Sequence, residues 1–279
     1  MTISKQEFDN FSNLILEKSA IVLEPGKEYL VENRLAPLIK QEGLSGLSDL
    51  FKQVQRNSKL LTQVVDAITT NETLFFRDIH PFSILKAQVL PDLIEKRRDR
   101  KELHIWSAAC SSGQEAYSIA ITIKEAFPHL RDWKFKILCT DISNAMLERT
   151  KQGVFSQLEV NRGMPASLLV KYFKQKGTDW EVNEELRSWM EVRHLNLADS
   201  WGHIDMMDII FIRNVLIYFD VKMREQILSK MRKVIASDGY LFLGATETIL
   251  SFESDFETRV HDKTIMYVPK TKVGNLEKP

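Results

Sequence analysis

LHIWSAACSSGQEAYSIAITIKEAF, residues 103–127, changes its periodicity part-way along. Residues 103–109 are mostly apolar and end in small side chains. CSSGQ (110–114) is a short polar connection, and from Glu115 onward the apolar residues recur at helical spacing. The stretch reads as strand, tight turn, helix. The same alternation returns downstream. KFKILCTD (134–141) is a second strand, followed by a helix from about Ser143, and 205–219 contains a central apolar strand. DVKMREQILSKMRKVIA (220–236) is a helix capped by Asp220, with Met223, Ile227, Met231 and Val234 or Ile235 inward. Asp238 and Gly239 are expected to turn into another buried strand, YLFLGATE (240–247), and 257–270 reads as a hairpin around His261 and Asp262. Alternating strands and helices imply an α/β domain with a largely parallel sheet and an antiparallel edge.

Upstream the pattern is helical only. SKQE (4–7) fits a capping box, and Phe8, Phe11 and Ile15 then share one face. Val31, Leu35 and Leu38 mark a second helix. Leu47, Leu50, Phe51 and Val54 mark a third, and Leu61, Val64 or Val65, and Ile68 a fourth. Residues 1–70 are therefore expected to form a small helical domain and 71–279 the α/β domain. Lys52, Arg56 and Lys59 form either a solvated face or a docking patch for an acidic partner.

Composition narrows the function classes. The 38 Lys and Arg residues balance 38 Asp and Glu, which gives no general pull toward nucleic acid or membrane. Two cysteines, Cys110 and Cys139, are too few for a disulfide framework and read as small core residues. With His194 and His203 they make no convincing metal cluster, so no metal is expected. The polar start MTISKQEFDN lacks the apolar run of a signal peptide, and no apolar stretch is long enough to span a bilayer, so a cytoplasmic protein is expected.

In a parallel α/β sheet, ligands bind beyond the carboxyl ends of the strands. The first strand ends in a turn with one glycine, Gly113, a poor match to a dinucleotide fingerprint, although Ser107, Ala108, Ala109, Ser111 and Ser112 still admit close backbone approach. Glu115, at the start of the helix, repels phosphate and suits a cation or a hydroxyl donor. Taken alone it is equally a first-turn glutamate favouring the helix dipole. Asp141 closes the second strand, where a carboxylate accepts ribose hydroxyls or caps the next helix. Together the two acids argue for a positively charged nucleoside without phosphates, and S-adenosylmethionine fits. Arg213 and Asn214 stand between two apolar runs, an expensive place unless both are satisfied, and a structural salt bridge is an alternative for Arg213. Tyr218 precedes the cap at Asp220 and either faces the cleft or packs in the core.

TTNETLFFRD (69–78), IWSAACSSGQEAYSIAI (105–121), ILCTDIS (137–143), HLNL (194–197), IIFIRNVLIYFD (209–220) and LFLGATE (241–247) occur in one order along the chain. In that order they resemble the chemotaxis receptor methyltransferases, the CheR family, over nearly the whole chain. The resemblance implies an α/β, Rossmann-like class I S-adenosylmethionine-dependent methyltransferase with a small N-terminal all-helical domain. It also implies an antiparallel β-subdomain inserted at about 154–195, with strands around WEV (180–182) and WMEVRHL (189–195). The implied reaction moves a methyl group from S-adenosylmethionine to glutamate side chains on chemoreceptor cytoplasmic helices, leaving a glutamyl methyl ester and S-adenosylhomocysteine.

By the same resemblance Asn71, Thr73 and Arg77 contribute to the cofactor site, Arg77 reaching the reaction centre. Glu115 meets the methionine portion, Asp141 the ribose, and Asn196 and Leu197 border the adenine. Ile212 and Arg213 complete the pocket, and Tyr218 approaches the sulfur and the incoming carboxylate, so Arg77 and Tyr218 are the implied catalytic residues. Phe75 and Phe76 would anchor TTNETLFFRD as a bridge between the domains. Two features depart from the family pattern. Gln114 and Ala116 are substitutions beside Glu115. KQKGTDWEV (174–182) is shorter, with only Gly177, than the glycine-bearing stretch of members that dock a receptor's C-terminal pentapeptide. The expected partners are methyl-accepting chemoreceptors engaged without dependence on that pentapeptide. The enzyme is expected to be a monomer that touches membrane-bound receptors peripherally, without insertion. Another acceptor on the same fold, or a non-catalytic cofactor-binding module, are the alternatives.

Overall fold

The computed structural model describes residues 3–249, 255–261 and 264–270. Its helical start follows the apolar stripes. α1 (Lys5–Ser19) opens on a capping box: the Ser4 hydroxyl accepts the Glu7 N–H, and the Glu7 carboxylate accepts the Ser4 N–H at 3.0 Å. α2 (Glu28–Gln41), α3 (Leu47–Val54) and α4 (Ser58–Ile68) complete the bundle. Phe8, Phe11, Ile15, Val31, Leu35, Leu50, Leu60 and Val64 close a core of their own, and Phe51 packs edge-on against Phe11. No single helix buries such a stripe alone, so the bundle is the smallest stable unit.

The segment between Asp78 and Arg100, to which the sequence reading assigns no element, is helical: α5 (His80–Ile84) and α6 (Leu90–Lys96) are joined by a π-helical turn at Leu85–Val89. The α/β part then runs β1 (Glu102–Ala108), α7 (Gln114–Ala126), β2 (Lys134–Asp141) and α8 (Asn144–Gln152). An insertion follows with β3 (Val154–Ser156), α9 (Gln157–Asn161), α10 (Ala166–Tyr172), β4 (Phe173–Lys176), β5 (Asp179–Val182) and α11 (Glu184–Arg187). The chain returns through β6 (Met190–His194), β7 (Met207–Ile212), α12 (Val221–Val234), β8 (Ile235–Leu243), β9 (Phe256–His261) and β10 (Thr264–Pro269).

The seven-stranded sheet has the order β6-β2-β1-β7-β8-β10-β9, parallel from β6 to β8, with β10 antiparallel to both neighbours. From β1 the chain builds outward to β2 and β6, then crosses back to β7 and β8. The order therefore reverses between β1 and β7, and such a switch point opens a crevice beyond the strand ends. This is a Rossmann-like core, and β3, β5 and β4 form the inserted antiparallel sheet.

Three details correct the sequence reading. The strand in WMEVRHL is β6, which pairs in parallel with β2 at the edge of the main sheet, so the strands of the insertion end at Val182. Asp238 and Gly239 do not turn the chain. They lie inside β8, where the ladder with β7 slips between Met207 and Ile209; a side chain at Gly239 would meet the Asp208 carbonyl oxygen at 2.8 Å. The strand also ends at Leu243, leaving Ala245, Thr246 and Glu247 in the loop beyond it. The C-terminal hairpin is present, while Asp262 at its tip lies outside the described residues.

TTNETLFFRD is clamped by its aromatic pair. Phe75 is buried and meets Phe155 and Phe173 of the insertion edge-on, at 4.9 and 5.7 Å between ring centres. Phe76 packs on Phe82, and its N–H donates to the Ser118 hydroxyl of α7 at 2.9 Å. Gly163, at φ +98°, lies so close to the segment that a β-carbon there would sit 2.1 Å from the Phe75 carbonyl oxygen. The segment is thus fixed on one side by the insertion and on the other by α7. Phe75→Ala is expected to cost about 3–5 kcal/mol, since the three-ring cluster cannot collapse on the void. Urea unfolding measures it, and a loss below about 1 kcal/mol would show that Phe75 is not the anchor.

Candidate functional site

A cavity partly open to solvent lies over the carboxyl ends of β1, β2 and β7. Asn71, Thr73, Arg77, Glu115, Asp141, Asn196, Leu197, Arg213 and Tyr218 all line it. Ile212 does not. It is the last residue of β7, wholly buried in the core layer shared with α12, and the alternation of the strand turns its neighbour Arg213 to the cleft instead. Sequence reasoning missed Ser19 and Ile21, which enter the wall from the end of α1, and Thr70, Ile142, Val215 and Phe219. No local pattern marks the first two. They reach the site because the Val22 N–H donates to the Tyr218 carbonyl and the Asn196 side-chain amide donates to the Lys18 carbonyl, both at 2.9 Å.

The turn after β1 is held in a shape most residues resist. Ala109 and Ser111 have φ of 56° and 50°, and Gly113 has 93°. Left-handed backbone costs a non-glycine residue about 1–3 kcal/mol and persists where surrounding bonds enforce it. Here they do. The Ser111 N–H donates to Asp141 Oδ2 at 2.8 Å, its hydroxyl donates to the Asn71 carbonyl at 2.7 Å, and its carbonyl accepts the Thr150 hydroxyl at 2.8 Å. Glycine is required at 113, because a β-carbon would come within 2.9 Å of the Thr150 side chain.

Asp141 also accepts the Ser143 N–H on Oδ1 at 2.9 Å. Burial raises its carboxyl above the ordinary value. The N–H bonds oppose that shift and the nearby Asp66 carboxyl adds to it. Arg213 is sealed at the end of β7 with 1% of its side chain exposed. Its Nη1 donates to Glu115 Oε2 at 3.0 Å, and its Nη2 to Asp78 Oδ2 at 2.7 Å and to the Arg77 carbonyl at 2.9 Å. Glu115 Oε1 accepts the Ser107 hydroxyl at 2.7 Å. The structural alternative raised for Arg213 is thus realised alongside its place in the wall. Arg77 donates from Nη1 to the Glu72 carbonyl at 3.1 Å. Asn196 is occupied by ties: its amide also donates to Asp199, and its oxygen accepts the Ala198 N–H at 3.1 Å.

The donor set fits S-adenosylmethionine. Three carboxylates line the cavity, Glu72, Glu115 and Asp141; the last two suit a sulfonium amino acid and ribose hydroxyls, and Ile21, Ile142, Leu195 and Leu197 offer an apolar slot for a planar base. Two basic side chains reach the wall, Arg77 and Arg213, and the second is already neutralised by Asp78 and Glu115, so the site is not built for a pyrophosphate. Among the described residues, no group of three or more His, Cys, Asp or Glu side chains is placed to hold a metal, and no helix is long and apolar enough to cross a membrane.

Two family models match the chain: the all-alpha domain of the CheR methyltransferases over residues 6–69 and their SAM binding domain over residues 71–265. The chain belongs to the CheR methyltransferase family. It is 40% identical over 276 residues to chemotaxis protein methyltransferase 1 of Pseudomonas aeruginosa, covering 97% of this chain and 100% of that one. It is 41% identical over 263 residues to the chemotaxis protein methyltransferase of Vibrio parahaemolyticus, covering 92% and 94%. This CheR protein is accordingly an S-adenosylmethionine-dependent methyltransferase.

Asp141→Asn changes both the fold's response to pH and the site, and the two are measured separately. A carboxyl raised by burial stabilises the fold below the ordinary carboxylate value, and that contribution is lost as pH rises through the raised value. The variant lacks this loss, so its stability relative to the parent should increase with pH across that window. Its affinity for S-adenosylhomocysteine should fall about 10- to 150-fold, the equivalent of a charge-assisted bond of about 1.5–3 kcal/mol. Urea unfolding at several pH values and calorimetric titration test the two halves. Unchanged affinity in the folded variant would remove Asp141 from the ligand.

Proposed function

We propose that this CheR enzyme methylates glutamate side-chain carboxylates on chemoreceptor cytoplasmic helices, with Arg77 and Tyr218 aligning the acceptor. What carries the reading is that both residues line one cavity with Glu115 and Asp141, so that donor and acceptor groups converge on one space. Bound there, S-adenosylmethionine supplies an electrophilic methyl group, which a carboxylate takes as its methyl ester, leaving S-adenosylhomocysteine.

The protein has little chemistry of its own to perform. A glutamate with a reference pKa of about 4.3 is ionised at neutral pH and needs no general base. What remains is alignment and exclusion of water. Arg77 offers a planar two-pronged donor for a carboxylate, and its backbone is fixed through its carbonyl by Arg213. Tyr218 is held on the facing turn, its carbonyl bonded to Val22 of the helical domain.

Kinetics on folded, cofactor-saturated variants test the assignment. Tyr218→Phe should lower kcat about tenfold with little change in cofactor affinity. Arg77→Ala should lower it about 100-fold, because orientation and charge are lost together. Arg77→Lys should restore charge without the fork and recover only part of the rate. Near-parental kcat in both Arg77→Ala and Tyr218→Phe would defeat the catalytic role.

We further infer that receptor choice lies outside the transfer centre. Lys52 on α3, Arg56 just beyond it and Lys59 in the first turn of α4 are exposed and suit an acidic receptor surface. Reversing all three charges should raise KM for a receptor fragment by more than it changes cofactor affinity, with high salt reproducing part of the loss. Equal kinetics at low salt would sink the idea. The β4–β5 hairpin turns on only Gly177 and Thr178, with Lys176 opposite Asp179, which supports methylation independent of a receptor pentapeptide. Receptor fragments with and without their C-terminal tails should then be methylated at equal rates.

A further inference from the structure

We propose that Glu247 is a positioning residue: its carboxylate, standing outside the cofactor cavity, sets the turn that carries Asn214, Val215 and Tyr218 into the cavity wall. This turn belongs to neither the sheet nor α12. Asn214 sits at φ +58°, Val215 at φ −127° and ψ −33°, and Leu216–Tyr218 form a single 3₁₀ turn. Its first amides therefore lack sheet or helix partners, and a buried or half-buried N–H must find one elsewhere.

They find Glu247. Its Oε2 accepts the N–H groups of Asn214 and Gly244, both at 2.7 Å, and its Oε1 accepts those of Val215 at 2.9 Å and Ile217 at 3.3 Å. One carboxylate thus gathers the backbone of two loops that leave adjacent strands, β7 and β8. The close approach explains a glycine as well. A β-carbon at Gly244 would lie 2.7 Å from Glu247 Oε2 and 2.8 Å from the Asn214 nitrogen.

The consequence is geometric. Asn214, Val215, Tyr218 and Phe219 line the cofactor cavity, whereas Glu247 borders a neighbouring hollow with Asp78, His80 and Tyr267. Glu247 therefore acts on the reaction only through the turn. A neutral amide cannot replace it, because glutamine has one acceptor oxygen and presents an NH₂ group to the remaining donors. The LFLGATE stretch owes its final glutamate to this task.

The inference rests on the reading of the Tyr218 side of the cavity as the acceptor wall. The test uses the full chain, S-adenosylmethionine and a purified receptor cytoplasmic fragment as acceptor. Glu247→Gln should lower kcat about tenfold or more while S-adenosylhomocysteine affinity stays within about twofold of the parent. Glu247→Ala should lose activity similarly and regain several-fold of it with added formate, a carboxylate small enough for the vacated space, whereas Glu247→Gln should not respond. Glu247→Asp keeps the charge, loses reach, and should show the same split between kcat and affinity if the glutamine variant does not fold. In a Tyr218→Phe background the glutamine substitution should cost less than it does alone. Parental kcat in Glu247→Gln overturns the proposal, and so does a loss of activity that follows cofactor affinity and the folded fraction without formate rescue. If Tyr218→Phe alone proves parental, the Tyr218 assignment falls, while formate rescue at unchanged affinity still upholds Glu247 through Asn214 and Val215.

Discussion

A guanidinium with 1% of its surface exposed has to be paired, and the way Arg213 is paired organises the rest of the site. Its fork joins Glu115 at the start of α7, Asp78 at the end of TTNETLFFRD and the carbonyl of Arg77 between them. A planar donor set fixes angle as well as distance, which a lysine at that place would not. The three partners lie 98 to 136 residues away along the chain, so the arrangement exists only once β1 and β7 lie side by side. The desolvation cost of burying the charge is offset by the two ion pairs and the carbonyl bond, which also order the segment that carries Arg77.

The helical domain is the second half of the same construction. Its end brings Ser19 and Ile21 to the cavity, and two bonds at 2.9 Å, from Val22 to Tyr218 and from Asn196 to Lys18, fasten it across the crevice. Arg34 of α2 adds a hydrogen bond to Thr70 at 3.1 Å and another to the Ile68 carbonyl. A Rossmann-like sheet alone leaves its switch point open to water. Here the bundle supplies the missing wall, and so a domain that carries no candidate catalytic residue still shapes the space in which transfer takes place.

The fold was legible where burial imposed a clean period. β1, β2 and β7 are apolar over most of their length because they lie in the middle of the sheet, and the helical stripes follow from packing in a bundle. The reading of β6 as a subdomain strand fails because β6 is an edge strand with no fully buried residue, exposed at Glu191 and His194 and half-buried at Met190, Val192 and Arg193, a pattern that a subdomain strand shares. Gly239 looked like a turn because a glycine beside an aspartate usually is one; the cause here is the Asp208 carbonyl, which no local pattern reveals. Glu115, Asp141 and Arg213 could be found from sequence because charge at the end of an apolar strand is costly without a purpose. Ile212 could not be separated from Arg213 until the strand's facing was known. Ser19 and Ile21 carried no signal, since their role depends wholly on where the bundle docks.

Three carboxylates stand beyond strand ends on the cavity side of the sheet, and they divide one physical task. Loops leaving parallel strands expose amides that neither ladder nor helix satisfies, and an ionised carboxylate can accept several at once. Asp141 gathers the turn after β1 and the start of α8, Glu247 gathers the turns after β7 and β8, and Glu115 takes the Ser107 hydroxyl and Arg213. The first and third also face the cavity, so the carboxylates that brace the loops are themselves presented to that space. Glu247 faces away and can only brace. The bracing carboxylate therefore faces the cavity at Glu115 and Asp141 and stands behind the turn at Glu247. Glu247 thereby adds no charge to a cavity that Glu72, Glu115 and Asp141 already line.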